Sequence, residues 1–374
     1  METNDAPRWA KHRILPVDPA RLASPVTDNI ALLMYTSGTT GVPKGVLLSH
    51  GNLMAAGQYV KDAHKLVRAD TALCVLPIYH INGLSVTVMG TLVSQSQLVM
   101  PRRFSASKFW DLMHRHDCSW FSGVPTQYAY LLNDDKTPVL NRKRLRFARS
   151  ASAPLSPTVQ KKFESRFGIP IIETMGLTET GAQILSNPLP PAIRKIGSPG
   201  IAFGNEVAIW DTDKNRLPAN AEGEIMIRGD NVMQGYLDRP EETKKTLTSD
   251  GWLHTGDLGH IDEDGYIFVT GRIKELIIKG GENIAPREID EALMAHDSVL
   301  EAAAFPVSCD DYGQRVEACV TLKSGTCETS ESLRQFCTVQ IGAFKTPDKI
   351  HFMDELPKGP SGKVQRLKLV ELLT

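Results

Sequence analysis

No charge of one sign dominates this chain. Its 374 residues carry 42 Lys and Arg against 43 Asp and Glu, a formal net charge of −1. A surface that recruits nucleic acid needs a basic excess, so no nucleic-acid partner is expected. Long hydrophobic runs are lacking too. Residues 30–34 and 276–278 are strand-sized, far short of the roughly 20 apolar residues that a membrane span requires, and no span is expected. The polar leader, residues 1–19, holds Asp5, Arg8, Lys11, His12, Arg13 and Asp18 and has no apolar stretch like that of a secretory signal; the expected compartment is the cytoplasm. The six cysteines form no CxxC pair, and a chain of this size needs no disulfide framework. Reduced, packing cysteines follow. Neither an internal repeat nor a low-complexity segment is present.

Residues 30–36 read as a buried strand, residues 37–44 as a loop rich in Gly and hydroxyls, and residues 45–48 as a return to extended structure. Ser49 caps a helix reaching to about Leu66, Ser105 one ending near His116, and Ser156-Pro157 one that Gly168 closes. Apolar runs at 72–76, 97–100, 145–149 and 169–173 lie between them. Strands alternating with helices predict an α/β sheet with helices on its faces. From Gly197 the pattern turns to short strands at 206–210, 223–228 and 266–270, with Asp264-Gly265 as a turn. After Gly271-Arg272 come a strand, a helix over 286–296, two strands, a helix over 331–339 and a strand over 349–353. The expected fold is thus α/β plus a β-rich subdomain, with a small C-terminal α+β domain. Its domains are 1–271, with the subdomain at about 197–271, and 272–374.

The segment Tyr35-Thr36-Ser37-Gly38-Thr39-Thr40-Gly41-Val42-Pro43-Lys44-Gly45 carries the clearest chemistry. Glycines let several backbone N–H groups face one point, the hydroxyls of Thr36, Ser37, Thr39 and Thr40 add donors, and Lys44 adds a cation, a set that suits a polyphosphate. It is not a Walker A loop, because Gly45 rather than Ser or Thr follows Lys44.

This segment resembles the phosphate loop of the adenylate-forming superfamily of acyl-CoA synthetases, luciferases and peptide-synthetase adenylation domains. Further matches follow in the family's order: Glu173-Thr174-Met175-Gly176-Leu177-Thr178-Glu179, Gly223-Glu224-Ile225 with Arg228-Gly229, Asp250-Gly251-Trp252-Leu253-His254-Thr255-Gly256-Asp257, Gly271-Arg272-Ile273-Lys274-Glu275, Lys279-Gly280-Gly281-Glu282-Asn283, and Pro357-Lys358-Gly359-Pro360-Ser361-Gly362-Lys363. The resemblance implies ATP-dependent activation of a carboxylic acid to acyl-AMP, then thioester formation with CoA, and with it ATP, Mg²⁺ and CoA as ligands. Transfer to a carrier protein or an amine, or an inactive nucleotide-binding fragment, are the alternatives.

The resemblance also implies residue roles. Lys44 and Thr178 contact phosphates, Glu179 helps to hold Mg²⁺, Ala153, Glu173, Thr174 and Met175 border the nucleotide, and Asp257 and Arg272 hold the ribose. Lys363 is the catalytic lysine between carboxylate and α-phosphate, Lys274 is the hinge, and Gly280 and Gly281 border the CoA arm. His80, Asn82 and Val86 line the acyl pocket; residues 79–86 lack the Asp that amino-acid-activating relatives use, which favours a simple carboxylic acid. Two positions depart from the family: Met175 replaces an aromatic, and Ala151 a glycine. The run Arg149-Ser150-Ala151-Ser152-Ala153, with Ser186-Asn187-Pro188-Leu189-Pro190, resembles the oxalate–CoA ligase-like branch. Family members carry a long segment before the phosphate loop, so the fold is expected to be N-terminally incomplete. A fragment, a natural short form, or a partner chain that supplies the rest would each account for it, and uncovered apolar sheet faces would favour homo-oligomers or aggregation.

Overall fold

The computed structural model describes residues 26–36, 43–134, 141, 143–359 and 364–373. The chain runs through β1 (Ile30–Thr36), β2 (Lys44–Ser49), α1 (His50–Ala63), β3 (Thr71–Cys74), a π-helical segment (Asn82–Met89) and α2 (Gly90–Ser94). It continues with β4 (Gln97–Val99), α3 (Ala106–Arg115), β5 (Trp120–Gly123), α4 (Pro125–Asn133), β6 (Phe147–Ser150), α5 (Pro157–Phe167), β7 (Ile171–Leu177) and β8 (Ala182–Ser186). Next come β9 (Ile201–Ala202), β10 (Glu206–Trp210), β11 (Gly223–Arg228), β12 (Gly235–Tyr236), α6 (Pro240–Thr246), β13 (Leu253–Ile261) and β14 (Ile267–Arg272). The last stretch holds β15 (Ile277–Lys279), β16 (Glu282–Ile284), α7 (Pro286–Met294), β17 (Val299–Cys309), β18 (Gly313–Leu322), α8 (Ser330–Ile341), β19 (Lys349–Phe352) and α9 (Arg366–Leu373).

The helix boundaries follow from their caps. The Ser49 hydroxyl accepts the Asn52 N–H at 3.1 Å and the Asn52 side chain accepts the Ser49 N–H at 2.9 Å, satisfying both ends of the first turn of α1. That helix stops at Ala63, a few residues before the expected end. Pro157 opens α5 and Gly168, at φ +64°, closes it in the left-handed conformation that glycine tolerates.

The largest sheet has the order β4-β3-β5-β6-β7-β8-β9. Its first five strands are parallel, β8 runs antiparallel to β7, and β9 antiparallel to β8. Every residue of β3, β5 and β6 is buried, as expected for strands covered on both faces. Alternate residues serve opposite layers. Leu73, Phe121 and Ala148 pack with Phe109 and Phe163 under α3 and α5, while Trp120 and Phe147 join Val60 and Val86 on the side of α1 and the π-helical segment. β5 escapes sequence reading because Trp120-Phe121-Ser122-Gly123 offers neither a long apolar run nor alternation.

Two smaller antiparallel sheets, β1-β2-β12 and β10-β11-β13-β14, complete the part before Arg272. The stretch after it forms a separate sheet, β16-β15-β18-β17 with β19 parallel to β18, and has its own cores around Ile277, Phe305 and Val320. On the edge strand β1, Ile30, Leu33 and Tyr35 are exposed. The cysteines among these residues are all free. No helix among the described residues is long and apolar enough to cross a membrane.

Candidate functional site

The carboxyl ends of parallel strands are where open α/β sheets bind ligands, and here that edge leads directly into the candidate residues. β7 runs out into a 3₁₀ turn, Thr178–Thr180, that carries Thr178 and Glu179. The Glu179 carboxylate accepts the Tyr236 hydroxyl at 2.8 Å, and its carbonyl accepts the Met233 N–H. Lys44, the first residue of β2, sits over the ring of that same Tyr236, 4.9 Å from its centroid, and bonds Glu242 of α6 at 2.6 Å. Lys44 and Glu179 therefore meet around one tyrosine. Burial, and next the negative charge of Glu179, raise the Tyr236 pKa, so the phenol stays protonated and donates. The hydrogen bond from Lys44 pulls the Glu242 pKa down. Thr36 stands opposite Lys44 in the β1–β2 register. Ser37, Gly38, Thr39, Thr40 and Gly41 lie outside the described residues, as does Lys363.

Asp257 and Arg272 are direct partners across β13 and β14. The guanidinium bonds both carboxylate oxygens, at 2.5 and 3.3 Å. Burial by itself would depress the Arg272 pKa, but Asp257, then Glu275 and Glu179, outweigh it and hold the group above its usual value. The fork matches a carboxylate in geometry, which makes such a pair strong for its size. Lys274 follows in the 3₁₀ turn Ile273–Glu275. Gly280 and Gly281 link β15 to β16 at φ +60° and +85°, values that only a residue without Cβ adopts freely, and the Gly280 N–H bonds the Tyr312 carbonyl at 2.9 Å.

Glu173 points inward. Its carboxylate accepts the Leu155 N–H at 3.0 Å, and burial raises its pKa to about 7. Thr174 is buried and donates its hydroxyl to the Ser150 carbonyl, Met175 packs against the main core, and Ala153 is half-buried beyond the end of β6. Among the residues expected at the acyl pocket, Val86 is fully buried in the main hydrophobic cluster, and the His80 ring accepts the Asn82 N–H.

Asn82 anchors a polar group that also takes in Ser122, Arg149 and Ser152. Arg149 Nη1 donates to Asn82 Oδ1 at 2.9 Å and to Ser122 Oγ at 3.1 Å, and Asn82 Nδ2 donates to Ser152 Oγ at 3.0 Å. Sequence reasoning assigned no role to Tyr236, Glu242, Ser122 or Arg149. Arg149 alone carried a signal, since a cation ending an apolar strand must find partners in the interior.

Of the two carboxylates around Lys44 and Tyr236, Glu242 pairs with the lysine and Glu179 accepts the tyrosine hydroxyl. That fits Mg²⁺, which is held by one or two carboxylates together with substrate phosphates. Among the described residues there is no group of three or more His, Cys, Asp or Glu able to hold a metal without such help.

The family profile of AMP-binding enzymes matches residues 2–237, and that of the AMP-binding enzyme C-terminal domain matches residues 288–363. A sulfoacetate–CoA ligase from Cupriavidus necator is 52% identical over 93% of this chain and 68% of its own length. An oxalate–CoA ligase from Saccharomyces cerevisiae is 39% identical over 92% of this chain and 63% of its own. The chain thus spans about two thirds of the length of these relatives. Among solved structures, ATP-bound MatB from Rhodopseudomonas palustris superimposes with a TM-score of 0.87 at 35% identity, over 93% of this chain and 69% of MatB. The apo form of MatB gives 0.74 at 35% identity, over 93% and 68%. The chain therefore belongs to the AMP-binding enzymes, the adenylate-forming superfamily to which the acid–CoA ligases belong.

Proposed function

We propose that this chain is an AMP-forming acid–CoA ligase whose substrate is a short carboxylic acid with a second anionic group. In the first half-reaction a carboxylate oxygen attacks the α-phosphorus of ATP, forming the acyl–AMP anhydride and releasing pyrophosphate. In the second, the CoA sulfur attacks the acyl carbon, AMP leaves, and the thiol proton passes to solvent. Lys44 and the loop 36–41 hold the phosphates, Thr178 contacts the α-phosphate, and Glu179 holds Mg²⁺, which supplies charge neutralisation on the phosphates when bound. Asp257 accepts the ribose hydroxyls while Arg272 orients its carboxylate. Lys363 stabilises charge that develops at phosphorus, an interaction worth most in the transition state. The residues from 272 onward then turn about Lys274 to bring the Gly280-Gly281 turn to the acyl group.

The observation that carries this reading is the convergence of Lys44 and Glu179 on Tyr236, with Glu179 close enough to Arg272 to act on its charge. Lys44 of β2, Glu179 after β7 and Arg272 of β14 come from three different sheets and are linked in this way, which supports their reading as the phosphate-binding cation, the metal-binding carboxylate and the partner of the ribose acceptor. Names of relatives, a sulfoacetate–CoA and an oxalate–CoA ligase, support the substrate class. The test is ATP–pyrophosphate exchange with sulfoacetate, oxalate, malonate, acetate and benzoate, followed by CoA consumption. Exchange with at least one acid, and loss of free CoA when it is added, are expected. Exchange without CoA consumption would favour a carrier-protein or amine acceptor, and no exchange with a folded protein would overturn the reading.

A further inference from the structure

Arg149 is 1% exposed, yet no carboxylate among the described residues pairs with it. Buried charges are normally paired, because an ion taken out of water without a counter-charge loses several kcal/mol of solvation. Here the guanidinium has only neutral acceptors, Asn82 Oδ1 and Ser122 Oγ, and its Nε makes no hydrogen bond to another protein group. Among the described residues, none of its neighbours is a carboxylate. His64, the residue that ends α1, stacks on Phe147 and is held neutral, its pKa brought down to about 3 by burial and by the positive charge of Arg149. Burial also lowers the Arg149 pKa to about 9.

Position makes this cation usable. Arg149 is the penultimate residue of β6 and lies opposite Ser122 of β5 at the carboxyl edge of the sheet. Asn82 opens the π-helical segment that covers this edge, and its amide reaches Ser152 in the loop leaving β6. The hydroxyl of Ser150, between Arg149 and that loop, is buried without a protein partner. The neighbouring parallel strand, β7, leads from the same edge to Thr178 and Glu179. A short acid whose reacting carboxylate lies at the phosphate end would extend its far end towards this polar floor.

We propose that Arg149, set by Asn82 and Ser122, is the receptor for the second anionic group of the substrate, a carboxylate or sulfonate, and so selects dianionic acids over monocarboxylates. This rests on the acid-ligase reading above. The missing counter-charge of the protein is then supplied by the substrate, and a monocarboxylate leaves the guanidinium uncompensated.

The test compares sulfoacetate and oxalate with acetate and propionate in pyrophosphate exchange, for the wild type, Arg149→Met and Asn82→Asp. The wild type is expected to prefer the dianions. Arg149→Met should reduce kcat/KM for dianions by roughly 10–100-fold, chiefly through KM, as befits loss of hydrogen bonds to a charged group, and change acetate by less than about threefold on the same argument. Asn82→Asp places a carboxylate against Arg149 in the same volume. It should also abolish the preference while leaving the thermal midpoint equal or higher, so that the test does not depend on Arg149→Met folding. Independently of turnover, sulfoacetate with a non-hydrolysable ATP analogue should raise the thermal midpoint of the wild type beyond the analogue alone, and should not do so for Asn82→Asp. Equal losses for both acid classes in Arg149→Met, or a wild type that prefers monocarboxylates, would overturn the proposal while the ligase reading stood. Absence of exchange with every acid would defeat the ligase reading itself.

Discussion

Glu173 and Asp257 are both buried carboxylates, but their partners differ. Asp257 has a guanidinium in bidentate contact, whereas Glu173 has one backbone N–H on Oε1 and no protein partner on Oε2. Burial dominates, with Arg287 partly offsetting it and Glu291 adding to it, and the Glu173 pKa rises to about 7 from a reference value of 4.5. The sign follows from proton counting. Between those two values the folded chain binds more protons at this residue than the unfolded chain does, so stability falls as pH rises through the window and is flat beyond it. Glu173→Gln keeps an acceptor for the Leu155 N–H and removes the titration. Its stability relative to wild type should therefore increase by about 2–3 kcal/mol between pH 5 and pH 8. Urea unfolding at the two pH values measures this, and parallel behaviour of the two proteins would mean that Glu173 is ionised in the fold.

Among the elements, the turn between β15 and β16 and the segment after β19 are expected to serve different half-reactions. A Cβ at Gly281 meets nothing within 4 Å, so a side chain there is limited by the +85° backbone angle and not by packing. Gly281→Leu is expected to obstruct the thiol and slow acyl-CoA formation from synthetic acyl-AMP while sparing pyrophosphate exchange. Gly281→Asn, which tolerates the left-handed angle, controls for backbone strain. Lys363→Ala should do the reverse, slowing exchange by about 10²–10³-fold, the scale for removing one preorganised charge donor. Five residues before that lysine in the chain, Lys358 is anchored to Glu301 of β17 at 2.8 Å, and Thr126 of α4 also donates to Glu301. Equal losses in both assays for Lys363→Ala and Gly281→Leu would rule out alternation about Lys274.

On the scale of the whole molecule, the exposed side chains of β1 bear on how copies of the chain associate. β1 is the outer strand of β1-β2-β12, and Leu33 and Tyr35 stand on one of its faces, 41% and 61% exposed. Unpaired backbone groups beside apolar side chains invite edge-to-edge pairing. Sedimentation velocity should therefore show association that increases with concentration, and Leu33→Lys, which sets a charge on the edge, should weaken it. A monomer at all concentrations for both proteins would sink this expectation.

Local rules carry much of this protein. A serine cap defines the start of α1, Pro157 and a closing glycine bound α5, turn glycines punctuate the β-rich part, and the order of the motifs identifies the chemistry, because each depends on residues adjacent in the chain. The short strand β5 and α4 were not legible, since a strand buried on both faces needs no alternation and Trp120-Phe121-Ser122-Gly123 carries no period. The motifs likewise brought Lys44, Glu179, Asp257 and Arg272 to notice without showing that Tyr236 joins the first two. Arg149 is the sharper case. In sequence it is a cation after an apolar run, and its significance depends on Ser122 lying opposite it in register and on Asn82 arriving from the π-helical segment, while no carboxylate among the described residues does. Residues 67 and 27 positions away from Arg149 meet it only through the parallel sheet and the segment packed on it. A parallel sheet pairs strands across long crossovers, so which neutral or charged groups surround a buried ion is decided by tertiary structure and leaves no spacing in the chain.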